Sequence, residues 1–363
     1  MRKGLLLLTV LLLLSGSVGA SEITREQAEV FGVEQVEQGL PEAAREALQN
    51  QDATQPQDFV QGASRVFSGA LSGSIGGVKA AAGLMLRILM IVVCCCLVEN
   101  GRDNRRAQAA AWAGALAVTA CCISDLKGMI GLGTSTMDEI SSFSSLLLPV
   151  MASAAAAAGS VTRAGVLGSV AAVFSDLLIR CTSRVLIPAT YGYLALAVVD
   201  AAMQENRLKK LQDLLAWAIR FGLKGLMYLY TGFLGLTGVL TGSADAAALK
   251  AAKATLSGVV PVVGGIISDA ADSVLAGAEL LKSAVGTFGM LAVLAVFLTP
   301  FLRMGLQFLA FKLAAVLSGI LGSRLGGLLD AMSQAMGFLL AMTASSMLMC
   351  MVCCCCLMRT VAA

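Results

Sequence analysis

The chain has no histidine. That absence removes Ser-His-Asp and Cys-His catalysis, imidazole-ligated metals and the side chain that titrates near neutral pH. Charge is scarce as well. Asp, Glu, Lys and Arg make up 13% of 363 residues, against about 25% in an ordinary soluble chain. The Lys and Arg residues are scattered, so no basic patch dense enough for nucleic acid forms. Aromatics are few too, at 5%, which leaves little for bulky core filling. What is abundant is apolar and small: 57% hydrophobic residues and 38 glycines. This is the composition of a membrane chain whose helices pack through small residues that let backbones approach.

The first twenty residues, "MRKGLLLLTVLLLLSGSVGA", combine basic Arg2 and Lys3, an apolar run from Leu5 to Leu14, and small Val18 and Ala20. They read as a secretory signal peptide over 1–20, cleaved before Ser21. The apolar run is only about half of what spans a bilayer, which argues against an uncleaved anchor.

Nine of the eleven cysteines cluster inside apolar stretches, as Cys94 to Cys96, Cys121 with Cys122, and Cys353 to Cys356. Adjacent helical residues point about 100° apart, so such runs cannot converge on one tetrahedral ion, and zinc sites use spaced pairs. Buried free Cys acting as a small hydrophobe explains them. No metal and no cofactor is expected.

Residues 21–78 form a polar segment in which Glu outnumbers Arg. Its helical apolar spacing at Ile23, Val30, Val33 and Val36 predicts amphipathic helices broken near Pro41 and Pro56. The stretch Phe67 to Gly77 reads as a small-residue, flexible entry into the membrane. Beyond it apolar segments follow closely: Ala80–Val98, Gln108–Ser124, Ser145–Gly159, Ala164–Ile179, Val185–Met203, Leu214–Leu240, Ala284–Leu302, Gly305–Gly322 and Ala335–Leu357. The fold class is therefore all-α, a polytopic membrane helix bundle of about seven to nine transmembrane or re-entrant helices. Its regions are a multi-pass part over 79–240, an extracytoplasmic loop over 241–283 and C-terminal membrane helices over 284–363.

With the mature N-terminus outside and every segment crossing, the basic stretches "ENGRDNRRA" and "QENRLKKLQD" fall inside. The short turn at Arg163, the turn at Arg303 and the tail at Arg359 join them there, and acid-leaning Asp125 to Ser142 falls in an outside loop, as the positive-inside rule asks. Arg180 and Arg184 are the misfits, since this arrangement places them outside.

Within the long loop, "PVVGGIISDAADS" (Pro261 to Ser273) is apolar enough to dip into the membrane and too short to cross it, with Gly264 and Gly265 offering a bend. Ser268 or Asp269 can cap a following helix, and Asp272 sits in its first turn, where the helix dipole favours a carboxylate. Asp269, Asp272 and Glu279 share one face, opposite Val274, Leu275 and Leu281. A capped amphipathic helix at the outer surface, a pore-lining element and a partner-docking element all fit this pattern. Among charges inside apolar segments, Arg87, Arg220 and Lys224 can snorkel, whereas Asp176 and Lys312 are candidates for interhelical or pathway roles.

The run "SGVVPVVGGIISDAADSVLAGAELLKSAVG" (Ser257 to Gly286) resembles the signature stretch of the stage III sporulation protein AE family. The layout of leader, polar segment and multi-pass region agrees with that family. The resemblance implies a non-enzymatic membrane subunit of the channel complex that links mother cell and forespore and sustains late forespore gene expression. Implied partners are the other proteins of the same stage III operon, among them a secretion-like ATPase and ring-forming subunits, together with a forespore membrane protein and the lipid bilayer. The implied location is the mother-cell membrane around the forespore. The family supplies no catalytic residues. It directs attention to Pro261, Gly264, Gly265, Asp269, Asp272 and Ser273 as positions for assembly or gating. The residues alone leave open a stand-alone secondary transporter coupled through Asp176, Asp269 or Asp272. They also leave open an aspartyl membrane protease, which needs only two carboxylates.

Overall fold

The computed structural model describes residues 33–48, 59–99, 104–157, 170, 173–203, 208–233 and 264–358, with the backbone alone described at 264–282. Among these, all regular structure is helical. Two short helices, α1 (Val33–Gln38) and α2 (Glu42–Ala47), precede α3 (Phe59–Gly73) and α4 (Ile75–Glu99). The bundle continues with α5 (Asn104–Ala157), α6 (Val173–Met203), α7 (209–233), α8 (Gly264–Ile320) and α9 (Gly326–Met358).

Five of these are long and apolar enough to cross a membrane: the spans are Ile75–Val98, Gln108–Ala154, Val173–Met203, Ser283–Ile320 and Gly326–Cys355. The all-α polytopic class therefore holds. Three pairs of expected segments nevertheless turn out to be single helices. The stretch Asp125 to Ser142, read as an outside loop, lies in the middle of α5, where its hydroxyls bond back to their own helix. Thr134 donates to the Ile130 carbonyl at 2.9 Å and Thr136 to that of Leu132 at 2.8 Å. The turn expected at Arg303 lies inside α8, which continues through Pro300. The boundary expected between Ile179 and Val185 is a π-helical turn, Thr182–Leu186, inside α6. Its cause is local. Pro188 has no N–H and its ring crowds the carbonyl four residues back, and widening the turn relieves this, so that the Ile187 amide bonds to the Thr182 carbonyl five residues back. The expected flexible entry at Phe67 to Gly77 is helical on both sides of a break at Ser74.

Two apolar cores are stacked along the bundle. One, here called apical, joins Val33 and Val36 of α1, Val66 of α3, Phe143 and Leu147 of α5, Tyr230 of α7, Phe288 and Leu291 of α8, and Met349 and Cys353 of α9. The other, basal, joins Leu84 and Ile88 of α4, Val118 and Ile130 of α5, Tyr193 of α6, Ile219 of α7, Phe311 of α8, and Leu329 and Met336 of α9. At the basal end, α4, α6 and α8 finish where α7 and α9 start. The Cys96 thiol donates to the Leu321 carbonyl at 2.9 Å, and the Leu208 amide donates to Asp200 at 3.1 Å. The end of α9, with Met349 and Cys353, belongs to the opposite, apical end. The tail was expected beside the basic stretches. It leaves from the other end, because fusing segments into single helices changes the parity of the crossings.

The outer surface is apolar over most of the bundle, with α5 the exception in the apical storey. Around the basal core, Leu86, Met90 and Leu97 of α4, Leu116 of α5, Phe221 of α7 and Leu313 of α8 all point outward. An exposed belt of large apolar side chains of this kind suits lipid and not water. On α5 the outward face changes character at Ser124 and continues as Lys127, Ser135, Asp138, Glu139, Ser142 and Ser145 around the apical core. At about 1.5 Å per residue, α5 with 54 residues and α8 with 57 are each roughly 80 Å long. A hydrocarbon layer of about 30 Å covers less than half of that.

Candidate functional site

The signature positions Gly264, Gly265, Asp269, Asp272 and Ser273 lie on the first three turns of α8. Pro261 lies outside the described residues. Because α8 begins at Gly264, Ser268 and Asp269 are interior to the helix and not its cap, and the glycine pair starts the helix where a bend was expected. Asp269 and Asp272 retain their i, i+3 spacing on one helix face. From Asp269 to Lys312 along the same helix is roughly 65 Å, so the signature and the intrahelical lysine form no common site.

Asp176 sits on α6 at the level of Ser141 of α5, within the apical storey. One of its oxygens accepts from the Ser141 hydroxyl at 2.6 Å and the other from the Arg180 guanidinium at 2.7 Å. This accounts for Arg180, the cation that fitted the charge rule poorly: it sits one turn from a carboxylate that ties α6 to α5. The pair is partly exposed, with side-chain exposures of 63% for Arg180 and 30% for Asp176. It therefore contributes at most about 1 kcal/mol. Its role is to fix register.

Lys312 of α8 reaches Asp330 of α9 at 2.6 Å across the turn that joins the two helices. That turn is closed by Gly322, at φ +72°, a conformation glycine adopts without a Cβ clash. Asp330 also lines a cleft of about 390 Å³ at the basal end, between the end of α6, the start of α7 and the start of α9. Its wall is polar, with Asp200, Lys209, Asp213, Arg324 and Gln334, and its floor is small, with Ala197 and Ala201 of α6 facing Gly327 and Ala331 of α9. The Tyr193 hydroxyl donates to Gln334 at 3.0 Å and braces one side.

Sequence reasoning singled out Lys312 and Asp176 but missed Asp330, Ser141 and the cleft. Ser141 was hidden in a stretch read as a loop. Asp330 stands six residues beyond Arg324 in an apolar helix start and carried the same signal as Lys312, a charge inside a membrane-like run. Cys96, Cys122, Cys350, Cys353 and Cys354 are buried and pack as small apolar groups, whereas Cys94 and Cys355 are exposed.

A helical bundle with five membrane-capable helices defines a multi-pass membrane protein class. The family model for Stage III sporulation protein AE matches residues 51–360, and the chain belongs to that family. A curated relative, Stage III sporulation protein AE of Bacillus subtilis (strain 168), is 23% identical over 221 residues, which cover 61% of this chain and 55% of the relative. The match thus spans little more than half of the relative's length. No solved structure matches.

Proposed function

We propose that this chain is a non-enzymatic, multi-pass membrane subunit of the channel complex that joins mother cell and forespore, and that late forespore gene expression depends on it. Its proposed partners are the other proteins of the stage III operon, including the secretion-like ATPase and ring-forming subunits, and a forespore membrane protein. The observation that carries the reading is the family match over 51–360. The fold supports it: helices about 80 Å long outreach a bilayer of about 30 Å, as a part that must meet partners across an intermembrane space would.

The proposed orientation has the basal end in the cytoplasm. The ends of α4, α6 and α8 bring the basic stretches around Arg105, Lys209 and Arg324 to that side. The apical body, the α8 signature and the N-terminal helices then lie outside the cytoplasm. The signature positions Pro261, Gly264, Gly265, Asp269, Asp272 and Ser273 are proposed as an assembly surface there. The transporter reading draws nothing from Asp176, because both of its oxygens are engaged by neighbours.

Deleting the gene in a spore former and following a late forespore-specific reporter tests the proposal. Engulfment should complete while late transcription and spore yield collapse. Normal late transcription and normal spores in the deletion strain would sink it.

A further inference from the structure

The basal core reaches up to Met137 of α5, Ile179 of α6 and Met304 of α8, and just inside this upper edge every long helix that crosses it carries a weak point. A Cβ placed on Gly133 of α5 would lie 3.4 Å from the Met304 sulfur in α8 and 3.5 Å from Thr343 Cγ2 in α9, so these three share a level. One placed on Gly77 of α4 would meet Arg303 Cγ at 3.5 Å, which brings in the top of α4. Helix α6 joins by count. Asp176 bonds to Ser141 of α5 and Tyr193 bonds to Gln334 of α9, both antiparallel neighbours. Stepping along from either contact brings Arg184, in the middle of the π turn, opposite Gly133 and Thr343. Helix α7 joins through Gly222, whose Cβ would lie 3.7 Å from Leu186, the last residue of that turn.

Each helix carries a weakness near here. Between α3 and α4 the chain breaks at Ser74. Helix α5 holds Gly128, Gly131 and Gly133, and glycine inside a helix gives up backbone rigidity. Helix α6 has the π turn and Pro188, and short departures of this kind mark hinges. Helix α7 has Gly222 and Gly225. In α8, Pro300 has no N–H, so the Val296 carbonyl loses its helical donor. In α9, Thr343 bonds back to the Leu339 carbonyl at 3.0 Å and Ser346 to that of Met342 at 3.1 Å, a pattern that bends helices. The Ser183 hydroxyl, buried within the π turn, has no hydrogen-bond partner among the described residues.

Weak points scattered along a bundle are harmless, because an intact neighbour splints each one. Aligned at one level, they leave no splint. We propose that this level is a hinge plane on which the apical body tilts as a unit against the basal bundle.

Hydrogen exchange followed by mass spectrometry on the full chain in detergent tests this without reference to any cellular role. Amides of α5 at 131–137, α6 at 183–190 and α9 at 343–347 should exchange at least tenfold faster than those one or two turns above and below. A double variant, Gly131→Ala with Pro300→Ala, should slow exchange across the plane in α6 and α9 as well, although neither helix is altered. Gly131 has open space for the added methyl. Even protection along α5 and α6 would overturn the hinge. So would a variant that slows only its own two helices, since the helices would then bend separately. Should the variant fail to fold, the wild-type profile decides alone.

Discussion

Gly289 has no room for a methyl group: a Cβ there would run into the side chain of Leu147 of α5. The two helices meet through that glycine, so Gly289→Ala should cost about 1–3 kcal/mol by overpacking. Gly128, with open space where its Cβ would be, should tolerate alanine and gain about 0.5–1 kcal/mol. Thermal unfolding of the two variants in one detergent compares them, and equal melting temperatures would contradict the packing described. At Asp176 the expectation concerns function. If its part is only to hold α6 to α5, Asp176→Asn keeps the Ser141 bond, and spore yield should stay within about threefold of wild type. Single variants at Asp176 and Arg180 should show a coupling of at most about 1 kcal/mol in a double-mutant cycle. A total loss of function on Asp176→Asn would instead point to a proton- or ion-coupled pathway. From the sequence, Asp176 was recognisable as a charge in an apolar run. Its partner Ser141 was not, since a serine carries no signal until its neighbour across the interface is known.

At the scale of elements, the helical class and the apolar segments were legible, and the joints between segments were not. Gly128, Gly131 and Gly133 with their serines and threonines resemble a loop because glycine and hydroxyl residues disfavour isolated helix. In α5 the hydroxyls bond to their own helix carbonyls, and contact with α8 and α9 offsets the propensity cost. Pro300 with Arg303 resembles a turn for a similar reason, and tertiary packing on both sides carries α8 through it. The signature was legible as helical but misjudged at its start, because the glycine pair that suggested a bend opens the helix instead. The α8–α9 hairpin offers its own test at Lys312 and Asp330. The pair is about half exposed, so it contributes at most about 1 kcal/mol and Asp330→Leu should lower the melting temperature only slightly. Adding Lys312→Met should restore that small loss if the two charges act only on one another. If the double variant melts no higher than the single one, the pair contributes something other than mutual compensation.

For the whole molecule, the parity of the crossings is the decisive feature. The ends of α4, α6 and α8 gather at the basal end, and α9 ends with the apical body. Compartment-sensitive reporters inserted after Glu99 and after Gly322 should therefore report the same compartment, and one following Met358 the opposite compartment. In the proposed orientation the first two are cytoplasmic. Agreement of all three would contradict the path of α9, whereas a uniform inversion would keep the fold and reverse only its orientation.

The length of α5 and α8 has a practical consequence. A helical membrane protein of this size is usually hidden in its detergent belt or nanodisc, with nothing outside by which single particles can be aligned. Here α5 and α8, each roughly 80 Å long, outreach a bilayer of about 30 Å, so part of the bundle stands outside the belt and each particle carries its own fiducial.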